Sequence, residues 1–349
     1  MRIAIVNDVA MTLEMLRRMV SKMPGHEVIW LARSGTEAIA KCKEDRPDII
    51  LMDLVMPGIN GVEATRQIML QYACAILVVT ASVKGNQRLA FEALSAGAVD
   101  IVQTPSFDAD GESGFDDQLQ RKINNISQIV EYKYKQARKS EKSRRTDQDG
   151  NGASEKDLLV AIGASTGGPA AVVEVLNKLP ANFPAAVIVV VHVDSAFAFG
   201  MAQWISGMVK MPVHIAREGE HPRAGEVLVA ASNDHLILGS QQKLQYTSEP
   251  LDYPYRPSVD VFFSSLVQSW RGEAIGVLLT GMGRDGAKGL KKMREHGWQT
   301  IAQDEKSSAI YGMPKEAAKI GAASEILPLG SIGAKLIRYI GKVRETVRQ

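Results

Sequence analysis

Cysteine is nearly absent from this chain of 349 residues: Cys42 and Cys74 stand alone, without metal spacing or a disulfide framework, so a reducing compartment is expected. Long apolar runs are missing as well. The tightest, such as Ala185 to Val191, are far too short to span a bilayer. The chain opens directly on strand-like MRIAIV rather than on a signal peptide. No strong charge imbalance exists either: 41 Lys and Arg against 39 Asp and Glu leave a net charge of +2, which argues against nucleic acid as the main partner. Neither a solenoid-period repeat nor a low-complexity tract stands outside one polar stretch. The remainder, 45% hydrophobic and 23% charged, is the composition of a cytoplasmic globular protein of two or three domains with no direct membrane insertion.

Residues 1 to about 105 alternate short apolar runs with amphipathic helical patterns. The strands expected are Ile3–Val6, Val28–Ala32, Ile49–Met52, Ile76–Thr80 and Val99–Val102, and Leu13, Leu16, Met19 and Val20 mark the first helix. Five βα units in this length predict one doubly wound parallel sheet of flavodoxin-like order 2-1-3-4-5. Such sheets bind ligands at the carboxyl ends of their strands. Asp8 follows the first strand and Asp53 ends the third, which makes these neighbours a divalent-cation site, best suited to Mg²⁺.

Leu119, Ile123, Ile126, Ile129 and Val130 recur at helical spacing and close this first domain, 1–130. A basic run from Lys133 to Arg145 then leads into TDQDGNGASEK, which has no apolar content to bury. Residues 131–156 therefore read as a linker, and the run as a solvated helix end leading into it rather than a nucleic-acid patch. From 157 to 349 a second α/β pattern begins, with strands at Leu158–Ile162, Ala186–Val191, Val213–Ala216, Val227–Ala230, Ala274–Leu279 and Thr300–Ala302. Helical patterns follow at Ala170–Lys178 and Gly286–His296, and Trp298 is expected in the core. Asn233-Asp234, between apolar runs of Val227–Tyr246, suggests a hairpin inserted in the sheet.

The stretch LLVAIGASTGGP, Leu158 to Pro169, is strand, sharp turn and helix with a hydroxyl at the apex. Gly163-x-Ser165-x-Gly167 fits a nucleophile elbow, and amides opening the helix can stabilise an oxyanion. A glycine-rich turn of this kind can equally cradle phosphate. His192, at the end of the next strand, and Asp285, just beyond Leu279, supply a base and an orienting acid from other strand ends. A ribose-binding acid would be expected where His192 stands, which favours acyl chemistry. His214, His221, His235 and His296 are rival histidines, and Asp194, Asp234 and Asp304 are rival acids. Asp285 could instead cap the helix that follows it.

The first domain resembles the receiver domain of two-component response regulators at Asp8, at LMDLVMPGINGVEA around Asp53, and at Thr80 in VVTAS. That resemblance implies phosphorylation of Asp53 by a partner sensor histidine kinase, Mg²⁺ held by Asp8, Asp53 and the Val55 carbonyl, and Thr80 as the switch residue. Two positions depart from the pattern: Asn7 replaces one acid of the usual pair, and Thr104 stands in place of the usual lysine.

The whole chain resembles the chemotaxis receptor methylesterase family (CheB), through GASTGGP, His192, TGMGRDGAKGL, YRPSVDVFF and AIYGMP. By that resemblance the second domain is a Rossmann-like α/β methylesterase domain with Ser165 as nucleophile, His192 as base, Asp285 as orienter, and the Thr166 and Met282 amides as oxyanion donors. The implied activity is hydrolysis of glutamate γ-methyl esters on a methylated chemoreceptor, without a cofactor, and also deamidation of glutamines. The implied control is a receiver that covers the esterase crevice until Asp53 is phosphorylated. A catalytically weak receiver-linked adaptor in a chemosensory complex is the alternative. The opening IVNDVAMT and the missing lysine are similar to the branch serving alternative chemosensory pathways (the Wsp type).

Overall fold

Runs of β-branched and aliphatic residues, covered on both faces, set the strands of both halves of this chain. The computed structural model describes residues 1–104, 119–126 and 158–347, apart from 73, 82, 125, 194 and 254. The chain divides into two compact units, Met1–Thr146 and Asp147–Gln349. The expected linker 131–156, with Pro105, Ile129, Val130 and Asp194, lies outside the described residues.

In the first unit, β1 (Arg2–Val6), β2 (Glu27–Ala32), β3 (Ile49–Met52), β4 (Ala75–Thr80) and β5 (Asp100–Gln103) form one sheet of order β2-β1-β3-β4-β5. Every pairing is parallel. Between the strands run α1 (Ala10–Ser21), α2 (Gly35–Glu44), α3 (Gly61–Gln71) and α4 (Val83–Ser95). The Ser34 hydroxyl caps α2 by accepting from Glu37 N–H, and the Asn60 side chain caps α3 in the same way. A further helical segment, α5 (119–124), buries Leu119 and Ile123 against Ile3, Ile5, Leu16 and Val20, and Ile126 joins the same cluster. This is the doubly wound, flavodoxin-like order that the periodicity predicts.

The second unit holds a larger sheet of order β14-β13-β12-β6-β7-β9-β8. Its strands are β6 (Leu158–Ala164), β7 (Ala186–Val191), β8 (Val213–Ile215), β9 (Val227–Val229), β12 (Glu273–Leu278), β13 (Gln299–Gln303) and β14 (Glu325–Leu327). All pairings are again parallel. The crossover helices are α6 (Gly168–Leu176), α7 (Ser195–Met208), α8 (Val259–Ser269), α9 (Ala287–Glu295) and α10 (Met313–Lys319), and α11 (Leu329–Val347) ends the chain. Trp298 packs with Phe262, Leu290 and Met293 in the core.

The hairpin differs from the sequence reading. Val227–Val229 belongs to the parallel sheet, whereas β10 (His235–Leu238) and β11 (Leu244–Thr247) pair antiparallel as a separate ribbon. The reversal lies at 239–243, where Gly239 N–H donates to Lys243 O and Gln242 adopts a left-handed φ of 57°. Asn233-Asp234 instead marks the exit from the main sheet, with Asp234 N–H donating to Ser232 Oγ.

Strand order places the chemistry. β6 lies between β12 and β7, so the chain winds outward one way from β6 and later returns to build the other half. Parallel sheets open a crevice at such a reversal.

Candidate active site

Ser165, His192 and Asp285 lie just beyond the carboxyl ends of β6, β7 and β12, three adjacent strands. Register brings the first two level: Ala164 pairs with Val191, and His192 N–H donates to Ala164 O at 3.2 Å. The third side is closed by Ser165 N–H donating to Thr280 O at 3.0 Å. Gly281 allows this approach, because a Cβ there would lie 2.8 Å from the Ser165 Cβ. Gly167, at φ 75°, turns the backbone sharply ahead of α6, and Pro169 follows in the first helical turn. Thr280 fastens the turn further, its hydroxyl donating to Thr166 O at 3.1 Å and accepting from Ile310 N–H at 2.8 Å. Thr166 thus opens the helical turn after Ser165, while Met282 lies between Gly281 and Gly283 on the facing loop. That loop is held by Gly281 N–H to Ile310 O at 3.1 Å and Met313 N–H to Gly281 O at 2.8 Å.

His192 Nε2 lies 2.7 Å from Asp285 Oδ2, with both side chains buried. The ionised acid fixes the tautomer: Nε2 carries the proton, and Nδ1 keeps its lone pair. Nδ1 is buried and has no hydrogen-bond partner among the described residues. Tyr255 stacks on the imidazole with ring centroids 4.3 Å apart and planes within 6° of parallel. This contact restrains the ring's rotation.

Asp285 does cap a helix, but not the one that follows it. The N-cap of α9 is Gly286, with no side-chain cap. Asp285 instead receives Ser258 Oγ–H at 2.8 Å, Val259 N–H at 2.7 Å and Asp260 N–H at 3.1 Å, all at the start of α8. Burial pushes its pKa up, but the bonds from His192, Ser258 and Val259 outweigh this and hold it below the ordinary carboxylate value. Ser258 is itself placed by His235, whose Nδ1 accepts Ser258 N–H at 3.1 Å while Nε2–H donates to Pro250 O at 3.1 Å.

The rivals go elsewhere. His214 pairs with Glu220, His221 meets Gln242 O, and His296 sits edge-on to Trp298. Asp304 accepts from Ser307 in a local turn. Tyr255 and Ser258 enter the sequence reading only within the YRPSVDVFF motif and His235 only as a rival, and none of them has a place there beside His192 and Asp285. Only Ser258 left a local signal, as a hydroxyl ahead of an apolar helical pattern.

The first unit presents its own acidic end. Asp53 N–H donates to Val6 O at 3.0 Å, which sets Asp53 beside the β1 exit that carries Asp8. Burial first, and the Asp8 charge second, push the Asp53 carboxyl up to about 6 despite bonds from the Leu54 and Val55 amides. Asn7 uses its side-chain oxygen locally, accepting Val9 N–H at 2.9 Å. Thr80 is buried, and its hydroxyl accepts from the Asn86 side chain at 3.3 Å. Thr104 N–H donates to Thr80 O, while the buried Thr104 hydroxyl has no partner among the described residues.

Comparison with known proteins identifies the family of each unit. The family model described as "CheB methylesterase" matches residues 160–336, and that of the "Response regulator receiver domain" matches residues 3–110. A Burkholderia thailandensis protein named "Protein-glutamate methylesterase/protein-glutamine glutaminase 4" is 51% identical over 348 residues, 100% of each chain. A Pseudomonas putida protein, the "Protein-glutamate methylesterase/protein-glutamine glutaminase of group 3 operon", is 50% identical over 98% of this chain and 100% of its own. The crystal structure of the Thermotoga maritima CheB methylesterase catalytic domain superposes with a TM-score of 0.51 at 33% identity, covering 52% of this chain and 98% of that one.

Proposed function

Because the chain belongs to the CheB methylesterase family and joins a receiver domain to its hydrolase unit, we propose that Ser165, His192 and Asp285 are its catalytic residues and Asp53 its phosphorylation site. Its activity is that of a phosphorylation-regulated protein-glutamate methylesterase, a carboxylic ester hydrolase. The observation that carries the assignment is the buried His192–Asp285 bond, which leaves Nδ1, without a partner among the described residues, as a base beside the β6 turn.

The substrate is a glutamate γ-methyl ester on a methylated chemoreceptor. Ser165 Oγ attacks the ester carbonyl while His192 Nδ1 takes its proton. Asp285 holds Nε2–H and stabilises the imidazolium that forms. The Thr166 and Met282 amides receive the oxyanion. Collapse of the tetrahedral intermediate expels methanol, protonated from Nδ1. Water then attacks the acyl-enzyme with Nδ1 again as base, releasing a glutamate carboxylate and restoring Ser165. Glutamine enters the same sequence with ammonia as the leaving group. These steps use no cofactor.

Mg²⁺ belongs to the receiver. Asp8, Asp53 and the Val55 carbonyl offer hard oxygen donors; burial first, and the Asp8 charge after it, raise the Asp53 carboxyl, and a cation would offset the second. Bound there, it neutralises charge on an incoming phosphoryl group. Asp53 accepts that group from a sensor histidine kinase, and Thr80 reads it by hydrogen bond. Among the described residues no helix is long and apolar enough to cross a membrane. The cytoplasm is the proposed location, where kinase and receptor helices meet it.

A fluorophosphonate probe followed by peptide mass spectrometry tests the nucleophile. Labelling is expected on Ser165 and is expected to fall sharply in His192→Ala. A label on another serine, or one undiminished in that variant, contradicts the triad.

A further inference from the structure

The far edge of the hydrolase sheet carries a second convergence of polar side chains that ester hydrolysis does not use. His214 is the central residue of β8, Glu226 immediately precedes β9, and Glu220 lies between the two strands. Because β8 and β9 run parallel, with His214 opposite Leu228, the connection returns along the sheet before β9 begins. Both acids are thereby carried back to the His214 side chain. Glu220 Oε1 lies 3.1 Å and Glu226 Oε2 lies 3.9 Å from His214 Nε2. One ligand atom from each of the three residues falls within 4.8 Å of the other two.

The remaining carboxylate oxygens are already committed. Arg217 N–H donates to Glu220 Oε2, and Arg223 N–H donates to Glu226 Oε1, both at 3.0 Å. Each carboxylate is thus oriented by backbone, with its second oxygen turned toward one imidazole nitrogen. Outer contacts of this kind fix ligands in metal sites. A simple ion pair needs one acid, whereas two carboxylates here converge on a single Nε2. The side chains are 36%, 25% and 19% exposed for His214, Glu220 and Glu226, so they are withdrawn from bulk water yet open to an entering ion.

We propose that His214, Glu220 and Glu226 bind a divalent first-row transition cation, with Zn²⁺ as its probe, through one imidazole nitrogen and two carboxylate oxygens. Ligand atoms bonded to zinc at about 2.0–2.2 Å stand about 3 to 4 Å from one another, so the observed separations require only small side-chain rotations. The imidazole favours such a cation over Mg²⁺ or Ca²⁺, which take oxygen ligands. Binding displaces the Nε2 proton to solvent, and water completes the coordination. The ion would tie edge strand β8 to the start of β9 and to the loop between them.

Titration calorimetry of the untagged full-length protein with Zn²⁺ tests this, with Mg²⁺ in excess so that the receiver's acids are not counted. One site is expected, and His214→Ala and Glu220→Gln should each weaken it by at least about tenfold, while His192→Ala should leave it intact. X-ray absorption at the zinc edge should show a nitrogen and oxygen shell at about 2.0–2.1 Å. The glutamine variant keeps the side-chain shape and so separates ligand loss from misfolding. Absence of zinc binding overturns the proposal. So does a site unchanged by both His214→Ala and Glu220→Gln, or one lost in His192→Ala.

Discussion

Asp285 serves two masters through one carboxylate: it orients His192, and it closes the amino terminus of α8 with Ser258, Val259 and Asp260 as donors. Asp285→Asn should therefore fail twice. Its amide can present N–H to His192 Nε2, which reverses the tautomer and should lower turnover by about 10⁴-fold. Loss of charge-assisted bonds should also cost about 1–3 kcal/mol of stability. Ester turnover and urea midpoints measured on the same preparation check both. Unimpaired turnover with a lowered midpoint would reduce Asp285 to a helix cap. Because the folded pKa lies below the ordinary carboxylate value, this stabilisation is full at neutral pH and is lost as pH falls through the folded value.

At the scale of elements, α8 and α9 are joined by a carboxylate of opposite behaviour. Asp260 Oδ1 accepts Gly289 N–H, yet burial, with the Asp285 charge behind it, pushes this acid up to about 6. The folded state then holds a proton that the unfolded chain releases near pH 4, so wild-type stability declines as pH rises from about 4 to about 6. Asp260→Asn keeps the acceptor and removes the charge. It should be more stable by about 3 kcal/mol at pH 7.5, with the advantage gone near pH 4. Denaturant midpoints at both pH values decide this, and an equal advantage at both would show that the charge is not responsible. Neither this junction nor the cap on α8 was legible in the sequence. Each joins residues 25 or more apart, and composition and periodicity report only on neighbours. The strands were legible because a parallel strand covered on both faces must be an unbroken apolar run, as in Ile49–Met52 and Ala186–Val191. The hairpin was misplaced because Asn233-Asp234 resembles a reversal, while the observed turn uses Gly239 and a left-handed Gln242. The convergence of Ser165, His192 and Asp285 on one sheet edge was legible for a topological reason: each follows a strand, and parallel strands end at one edge.

For the whole molecule, the question is how the proposed phosphorylation at Asp53 governs turnover at the proposed nucleophile, Ser165. Thr104 offers a neutral hydroxyl, buried and without a partner among the described residues, where receivers commonly carry a lysine, and Asn7 gives its side-chain oxygen to Val9 N–H. Both features weaken the charge partnership that a phosphoryl group needs, whereas Thr80 retains its hydroxyl. The unphosphorylated protein should therefore show appreciable activity, and Thr104→Lys should widen the ratio between phosphorylated and unphosphorylated rates. An unchanged ratio, measured with a small-molecule phosphoryl donor and Mg²⁺, would separate Thr104 from the switch. The most direct test of the account is methanol release from a methylated chemoreceptor fragment. Wild type, Ser165→Ala, His192→Ala and the double variant would be compared, each with and without the phosphoryl donor. Wild type should show measurable release that rises with phosphorylation, and each single variant a loss of about 10³-fold or more that the double variant hardly deepens, because triad members act as one unit. Wild-type rates retained in Ser165→Ala, or independent and multiplicative losses, would contradict the account.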